Sequence, residues 1–333
     1  MKYYQIDGVS KPISRIVFGS AMPKMFAAFR SVYGNEPDFE NRLQTAFEIL
    51  DDAYSEGINC IDCADHYGEE PVGEWLESRG LHDKVVILTK GAHHNAWRKR
   101  VTPYDILHDC HNSLAKLKTN QIDIYLLHRD DPSVPVGPIM DTLNRLYEEG
   151  KIRVFGTSNW SVERFTEANE YALKNGLRPF TVVSPNFGLA NQVADPWGGG
   201  CYTISGASDN ADRKFYAEND IPVFAYSALG RGFFSGRFHS DEYEKAKQIL
   251  EPAAVNGYLC PENMERLRRC ELLAKEKQVT VAQIAMAYIF NQHDLRVFAL
   301  TSSGSKERVK ESTAALELQL TDEECSWLNL EKG

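Results

Sequence analysis

Read for hydrophobicity alone, the chain alternates short, nearly unbroken apolar runs with longer stretches whose apolar residues recur every three or four positions. The runs at 14–19, 58–62, 84–90, 122–128, 152–158, 180–184, 221–227 and 296–302 are the candidate strands. Continuous apolarity marks strands covered on both faces, as in a parallel sheet. The stretches between them carry helix-end signals. Thr102, Pro103 and Asp105 supply a cap, an N1 proline and an acidic first turn ahead of Leu107, Cys110, Leu114 and Leu117. Ile139, Leu143 and Leu146 repeat at helical spacing and stop at Gly150, a residue suited to the left-handed position that ends a helix. Thr280 and Gln283 have the spacing of a capping box ahead of Val281, Ile284, Ala285, Tyr288 and Ile289. Eight strands with intervening helices, and no Pro- or Ser-rich linker, predict an α/β protein: one (β/α)8 barrel domain over residues 1–333. A doubly wound sheet is the rival. It asks for Gly-x-Gly-x-x-Gly after the first strand, and FGSAMPKMF (18–26) does not supply it.

Three segments lack a clear period: 20–37, 91–101 and 187–219. Each follows a candidate strand, so in a barrel each rises over the face that carries active sites, as a pocket wall or lid. PWGGGC (196–201) has the composition of a phosphate cradle. It lacks the strand-to-helix context and the Lys-Ser/Thr of one, and reads as a flexible lid segment.

Composition narrows the function classes. With 43% hydrophobic residues the chain can bury a large core, and a net charge of -10 excludes a general nucleic-acid binder. The first residues hold no apolar core of signal-peptide length, and no 18-residue apolar run occurs, so no membrane span and a cytoplasmic location are expected. Seven scattered cysteines are read as free thiols. Cys60 and Cys63 form a Cys-x-x-Cys, but on a strand residues three apart point to opposite faces, and no second pair completes a zinc site.

Polar residues that end apolar runs are the candidates for chemistry. Asp62, Lys90 and His128 do so on three successive strands, with Tyr67 five residues beyond Asp62, and all four would converge on the barrel mouth.

IDCADHYG (61–68), ILTKG (87–91), IYLLHRDD (124–131), GKIRVFGTSNW (150–160) and YSALGRGFFSG (226–236) together resemble the successive signatures of the aldo-keto reductase superfamily. Asp62, Ala64, Tyr67 and Gly68 match its most diagnostic pattern, and the likeness runs from VFGS at strand one to SKERVKE after strand eight. The resemblance implies a (β/α)8 barrel, NADPH bound without a Rossmann fold, and reversible conversion of a carbonyl to an alcohol. Residue chemistry is consistent with this. A phenol can protonate a developing alkoxide, and a neighbouring ammonium favours the phenolate it leaves. Tyr67 is thus expected as general acid, Lys90 as its tuner, Asp62 as anchor of Lys90, and His128 as hydrogen-bond donor to the substrate oxygen.

For the cofactor, the resemblance places Gly19 at the end of strand one, Ser158 and Asn159 at the nicotinamide carboxamide, and Phe187 against the nicotinamide ring. Ser184 stands where the family usually has Gln. Tyr226, Ser227, Leu229 and Arg231 match the pyrophosphate segment. Around the adenosine phosphate the chain offers Ser302, Ser303, Arg308, Glu311 and Ser312, with Ser302 in place of the usual Lys and Ser312 in place of Asn. NADPH is the expected cofactor, with NADH possible and no metal.

Two rivals remain at this level. A metal-dependent hydrolase is suggested by His66, His93, His94 and His128, but no strand carries His-x-His and adjacent histidines do not readily share one ion. The other is a regulatory subunit of the same fold that binds NADPH with little turnover. The expected partner is a small carbonyl or alcohol, and His94 and Trp97 beside Asp130 and Asp131 suggest a sugar or ketosugar.

Overall fold

The computed structural model describes every residue except 207–209, 293 and 333. A two-residue antiparallel pair, Tyr3–Tyr4 (β1) and Ile13–Ser14 (β2), precedes eight strands that close into a barrel. These are Ile16–Gly19 (β3), Cys60–Asp62 (β4), Val86–Gly91 (β5), Ile122–Leu127 (β6), Ile152–Ser158 (β7), Val182–Ser184 (β8), Val223–Ala225 (β9) and Val297–Thr301 (β10). Their order is β10-β3-β4-β5-β6-β7-β8-β9, so sequence neighbours are sheet neighbours around the ring. The registered pairs run parallel, with Asp62 opposite Leu88 and Lys90 opposite Leu126. Seven of the eight candidate runs contain a strand and the eighth, 84–90, falls one residue short of the end of β5 at Gly91, while the ladder is shorter than the apolar run in most. β1 and β2 are too short for any period to announce them.

By internal packing the chain divides into two compact units, residues 1–183 with 302–309, and residues 184–301 with 310–333. The first carries β3 to β7, and the second carries β9 and β10.

The helix signals act as read. Thr102 Oγ1 accepts from the Asp105 amide at the start of Pro103–Lys116. Gly150 takes φ +69° just past Val136–Glu148. Thr280 and Gln283 close a reciprocal box on Val281–Phe290. In Pro103–Lys116 the buried stripe is Ile106, Cys110, Ser113 and Leu114, while Leu107 lies partly exposed at its edge. One glycine sets the depth of helix packing. At Gly73, in Glu69–Arg79, an added Cβ would stand 2.1 Å from the Lys116 carbonyl oxygen and 2.8 Å from Leu117 Cα. Only a residue without a side chain lets the two backbones approach that closely.

The long loops are more organised than their sequence suggests. Segment 20–37 holds the short helices Pro23–Phe26 and Arg30–Tyr33, tied down by Arg30 Nε to Glu74 at 2.7 Å and by the Ser31 amide to Glu70 at 2.9 Å. Segment 187–219 ends in the helix Asn210–Glu218, and its residues 207–209 lie outside the described residues. PWGGGC wraps the Asp195 carboxylate, which accepts from the Trp197 and Cys201 amides at 2.7 Å each, while Gly198, Gly199 and Gly200 supply the positive φ angles. Among the described residues no helix is long and apolar enough to cross a membrane.

Candidate active site

In the first unit, β4, β5 and β6 deliver Asp62, Lys90 and His128 at successive strand ends. Tyr67 is fixed by the turn after β4, where the Tyr67 amide donates to the Ala64 carbonyl at 2.9 Å and the Ala64 amide returns a bond at 3.0 Å. Gly68 completes that turn with φ +76°, and a Cβ there would lie 1.8 Å from Ser20 Oγ. The turn therefore brings the phenol back over Asp62.

Lys90 and Asp62 are both buried. Lys90 Nζ donates to Asp62 Oδ1, to Tyr67 Oη at 2.7 Å and to the Cys63 carbonyl at 3.0 Å. Tyr67 Oη donates to Asp62 Oδ2 at 3.3 Å. The ammonium thus spends three donors on three acceptors, the condition under which a buried charge is tolerated. Burial, and next the Asp62 charge, push the Tyr67 phenol well above its ordinary range, so it holds its proton at neutral pH. Burial also raises the Asp62 carboxyl, against the pull of Lys90. The His128 imidazole is pushed far below its ordinary value by burial and then by the Lys90 charge, so it is neutral.

His128 has company that the sequence reading set aside. The His66 ring stacks on it at 5.2 Å, and the His93 ring stands edge-on at 4.8 Å. Adjacency of His93 and His94 does not prevent convergence with the other rings: His93 packs against His94 at 4.3 Å and also meets His66 at 4.4 Å. The available signal was position, since His66 and His93 follow the same strand ends as Asp62 and Lys90 by four and three residues.

The expected cofactor residues divide between the units. In the first, Asn159 has φ +62° and its amide donates to the His128 carbonyl at 3.1 Å and to Ser158 Oγ at 3.0 Å. Ser302 Oγ donates to the Gly19 carbonyl at 2.6 Å. Ser303 Oγ accepts from the Ser305 amide at 3.1 Å, and Arg308 stands exposed in the first turn of Lys306–Ala314. An exposed guanidinium beside a helix N-terminus is a donor set that suits a phosphate.

In the second unit, the Ser184 hydroxyl donates to the Phe224 carbonyl at 2.8 Å. Phe187 is 0% exposed, with the Tyr288 ring centroid at 6.3 Å and the Arg213 guanidinium 5.9 Å from its own. Its expected open face toward a planar ring is therefore covered in this conformation. Tyr226 and Leu229 lie in the turn that Ser227 and Arg231 shape with φ +55° and +54°. Arg231 is held by Glu251, Nε to Oε1 at 2.6 Å, and lies 4.8 Å from the Trp197 ring. Glu311 is half-buried and Ser312 buried. A residue absent from the reading, Asn186, organises this loop. Its amide donates to Tyr258 Oη at 2.8 Å, and its carbonyl accepts from Thr203 Oγ1 at 2.9 Å.

Of the expected substrate contacts, Trp97 is 88% exposed and His94 is exposed. Asp130 and Asp131 instead serve the loop: Asp130 pairs with Arg164 at 3.4 Å, and Asp131 accepts from Ser133 Oγ at 2.7 Å.

Known proteins agree with the fold. The glycerol dehydrogenase AKR11B4 of Gluconobacter oxydans superposes with a TM-score of 0.71 over 98% of this chain and 94% of its own, at 23% identity. In sequence, norsolorinic acid reductase B of Dothistroma septosporum is 28% identical over 84% of this chain and 70% of its own length. A probable aryl-alcohol dehydrogenase of Saccharomyces cerevisiae, AAD4, is 28% identical over 86% and 87%. The aldo-keto reductase YhdN of Bacillus subtilis is 25% identical over 94% and 89%. The model of the aldo/keto reductase family matches residues 33–329, nearly the whole chain, and the protein is a carbonyl oxidoreductase of that family.

Proposed function

We propose that the protein reduces an aldehyde or ketone to the alcohol, reversibly, with NADPH as the preferred donor and Tyr67 as the general acid. The observation that carries this reading is the ammonium of Lys90 2.7 Å from the Tyr67 oxygen, with Asp62 behind both. The cofactor supplies the hydride. This chain's residues then handle the charge on the substrate oxygen. Neutral His128 donates a hydrogen bond to that oxygen and orients it, and Tyr67 Oη releases its proton to it as negative charge develops. The phenolate left behind stays hydrogen-bonded to Lys90, which lowers the cost of releasing the proton. In the alcohol-to-ketone direction the same phenolate takes the proton back.

In the first unit, Arg308 at the start of Lys306–Ala314 would hold the cofactor's phosphate, and Asn159 and Ser158 its carboxamide. With Ser302 where relatives place a lysine, NADH is the secondary donor. Exposed His94, 4.3 Å from His93, and exposed Trp97 favour a small hydroxylated carbonyl such as a sugar or ketosugar, and the relatives' names make aromatic aldehydes the comparison class. The same reading puts the enzyme in the cytoplasm, where its free thiols stay reduced.

Tyr67→Phe tests the reading. Turnover of the best substrate in a panel of aldoses, ketoses and aromatic aldehydes should fall at least a hundredfold, within the range that general acids contribute. NADPH affinity should be unchanged. Undiminished turnover would sink the assignment, and NADPH bound but never oxidised across the panel would favour a regulatory role for the fold.

A further inference from the structure

The proposed reduction uses only one of the three imidazoles that meet at the strand ends of the first unit. His66 comes from the turn after β4, His93 from the segment after β5 and His128 from the end of β6. One ligand nitrogen of each lies within 4.8 Å of the other two. Zinc bonds of about 2.0–2.1 Å in a tetrahedral site put nitrogens roughly 3.4 Å apart. Side-chain rotation alone can close that difference, and the His66 side chain is 45% exposed and has room to turn.

Two of the rings hold the tautomer in which Nε2 can ligate. His66 Nδ1 faces Asp65 Oδ1 at 2.8 Å, and His93 Nδ1 faces the His94 carbonyl oxygen at 2.8 Å. Both partners accept and do not donate, so Nδ1 carries the hydrogen and Nε2 of the neutral ring presents its lone pair. A ring N–H given to a carboxylate or a backbone carbonyl is the usual support of a metal-bound histidine. Asp65 is itself restrained, with Lys116 donating to its carbonyl and Arg100 Nη1 3.7 Å from Oδ2. On His128, Nδ1 is buried with no hydrogen-bond partner among the described residues, so no bond there fixes the tautomer of the third ring. Three neutral nitrogen donors with a fourth position open suit zinc-class ions, whereas magnesium and calcium ask for oxygen.

We propose that His66, His93 and His128 form a binding site for a zinc-class divalent cation, and that its occupancy withdraws His128 from the substrate oxygen and arrests carbonyl reduction. The arrest rests on the proposed role of His128; the site does not.

The full chain, stripped with EDTA and dialysed, is titrated with Co2+ and then Zn2+, read by the ligand-field absorption of tetrahedral cobalt and by calorimetry. NADPH turnover is followed in parallel. One equivalent of cobalt should bind, zinc should displace it, and turnover should fall with the same midpoint and return on adding EDTA. His66→Ala and His93→Ala should each weaken binding at least tenfold, and Asp65→Asn roughly tenfold to a hundredfold, as supporting groups do. No tetrahedral cobalt spectrum in the wild-type chain would overturn the site. So would unchanged affinity in both histidine variants, or thiolate charge-transfer bands that put the ion on cysteine. An ion bound at the three histidines with turnover undiminished would overturn the arrest and the role of His128, and leave the site standing.

Discussion

Tyr67 and Lys90 look equally central, yet removing them asks different things of the fold. Without the phenol hydroxyl, Lys90 loses its 2.7 Å bond to that oxygen but keeps Asp62 and the Cys63 carbonyl, and Asp62 loses one bond of 3.3 Å. Tyr67→Phe should therefore cost about 2 kcal/mol of stability, the net worth of two hydrogen bonds of which one comes from a charged donor. Lys90→Met leaves a buried carboxylate with no counter-charge and should cost about 3–5 kcal/mol, measured by urea denaturation. A near-equal loss in the two variants would mean that the ion pair is more hydrated than its burial implies. Inactivity of Lys90→Met alone says little about chemistry, whereas that of Tyr67→Phe is clean. At this scale the sequence was informative for a definite reason: Asp62, Lys90 and His128 each interrupt an apolar run at its end, where a barrel strand meets the face that carries active sites. His66 and His93 interrupt no run. Their meeting depends on two turns whose paths no periodicity encodes.

At the scale of elements, the end signals of helices were legible because they are local, and the contacts between helices were not. Asp105 illustrates the first. Burial pushes its carboxyl up, but hydrogen bonds from Arg98 and Thr102 and the charge of Arg100 overrule it and hold it at about 2, against an ordinary 3.8. Above pH 3.8 the group is ionised folded and unfolded, and its stabilisation is complete. As pH falls from there toward 2, the unfolded chain takes up the proton first, and about 2 kcal/mol drains away. Acid unfolding followed by circular dichroism should show that slope in the wild type and lose it in Asp105→Asn. Gly73 illustrates the second. Nothing near it in sequence announces that Lys116 and Leu117 will press on it. Gly73→Ala forces two backbones apart and should destabilise by about 1–3 kcal/mol. Unchanged stability would mean that the helices slide at little cost.

For the whole molecule, the barrel was legible because eight apolar runs separated by stretches long enough for a helix permit few arrangements once a parallel sheet must be covered on both sides. The order of the loops was not, since the Asp195 carboxylate gathers the Trp197 and Cys201 amides of its own loop and the Asn186 amide reaches the Tyr226 carbonyl 40 positions away. A bound cofactor offers a measurement at this scale. NADP+ at a hundred times its dissociation constant should stabilise the fold by about 2.7 kcal/mol. NAD+ at the same concentration should stabilise it less, and Arg308→Ala should narrow the difference. Equal stabilisation by both nucleotides in the wild type would remove Arg308 from the phosphate site.

The bond from Ser302 Oγ to the Gly19 carbonyl joins residues 283 positions apart, just where the first and last barrel strands end. During synthesis, β3 to β9 therefore leave the ribosome as an open sheet with two bare edges, and unpaired edges recruit other strands. The ring cannot shut until residues 297–301 are free to enter it, so the interval before that strand emerges is when the open sheet is most exposed to aggregation and most in need of chaperones.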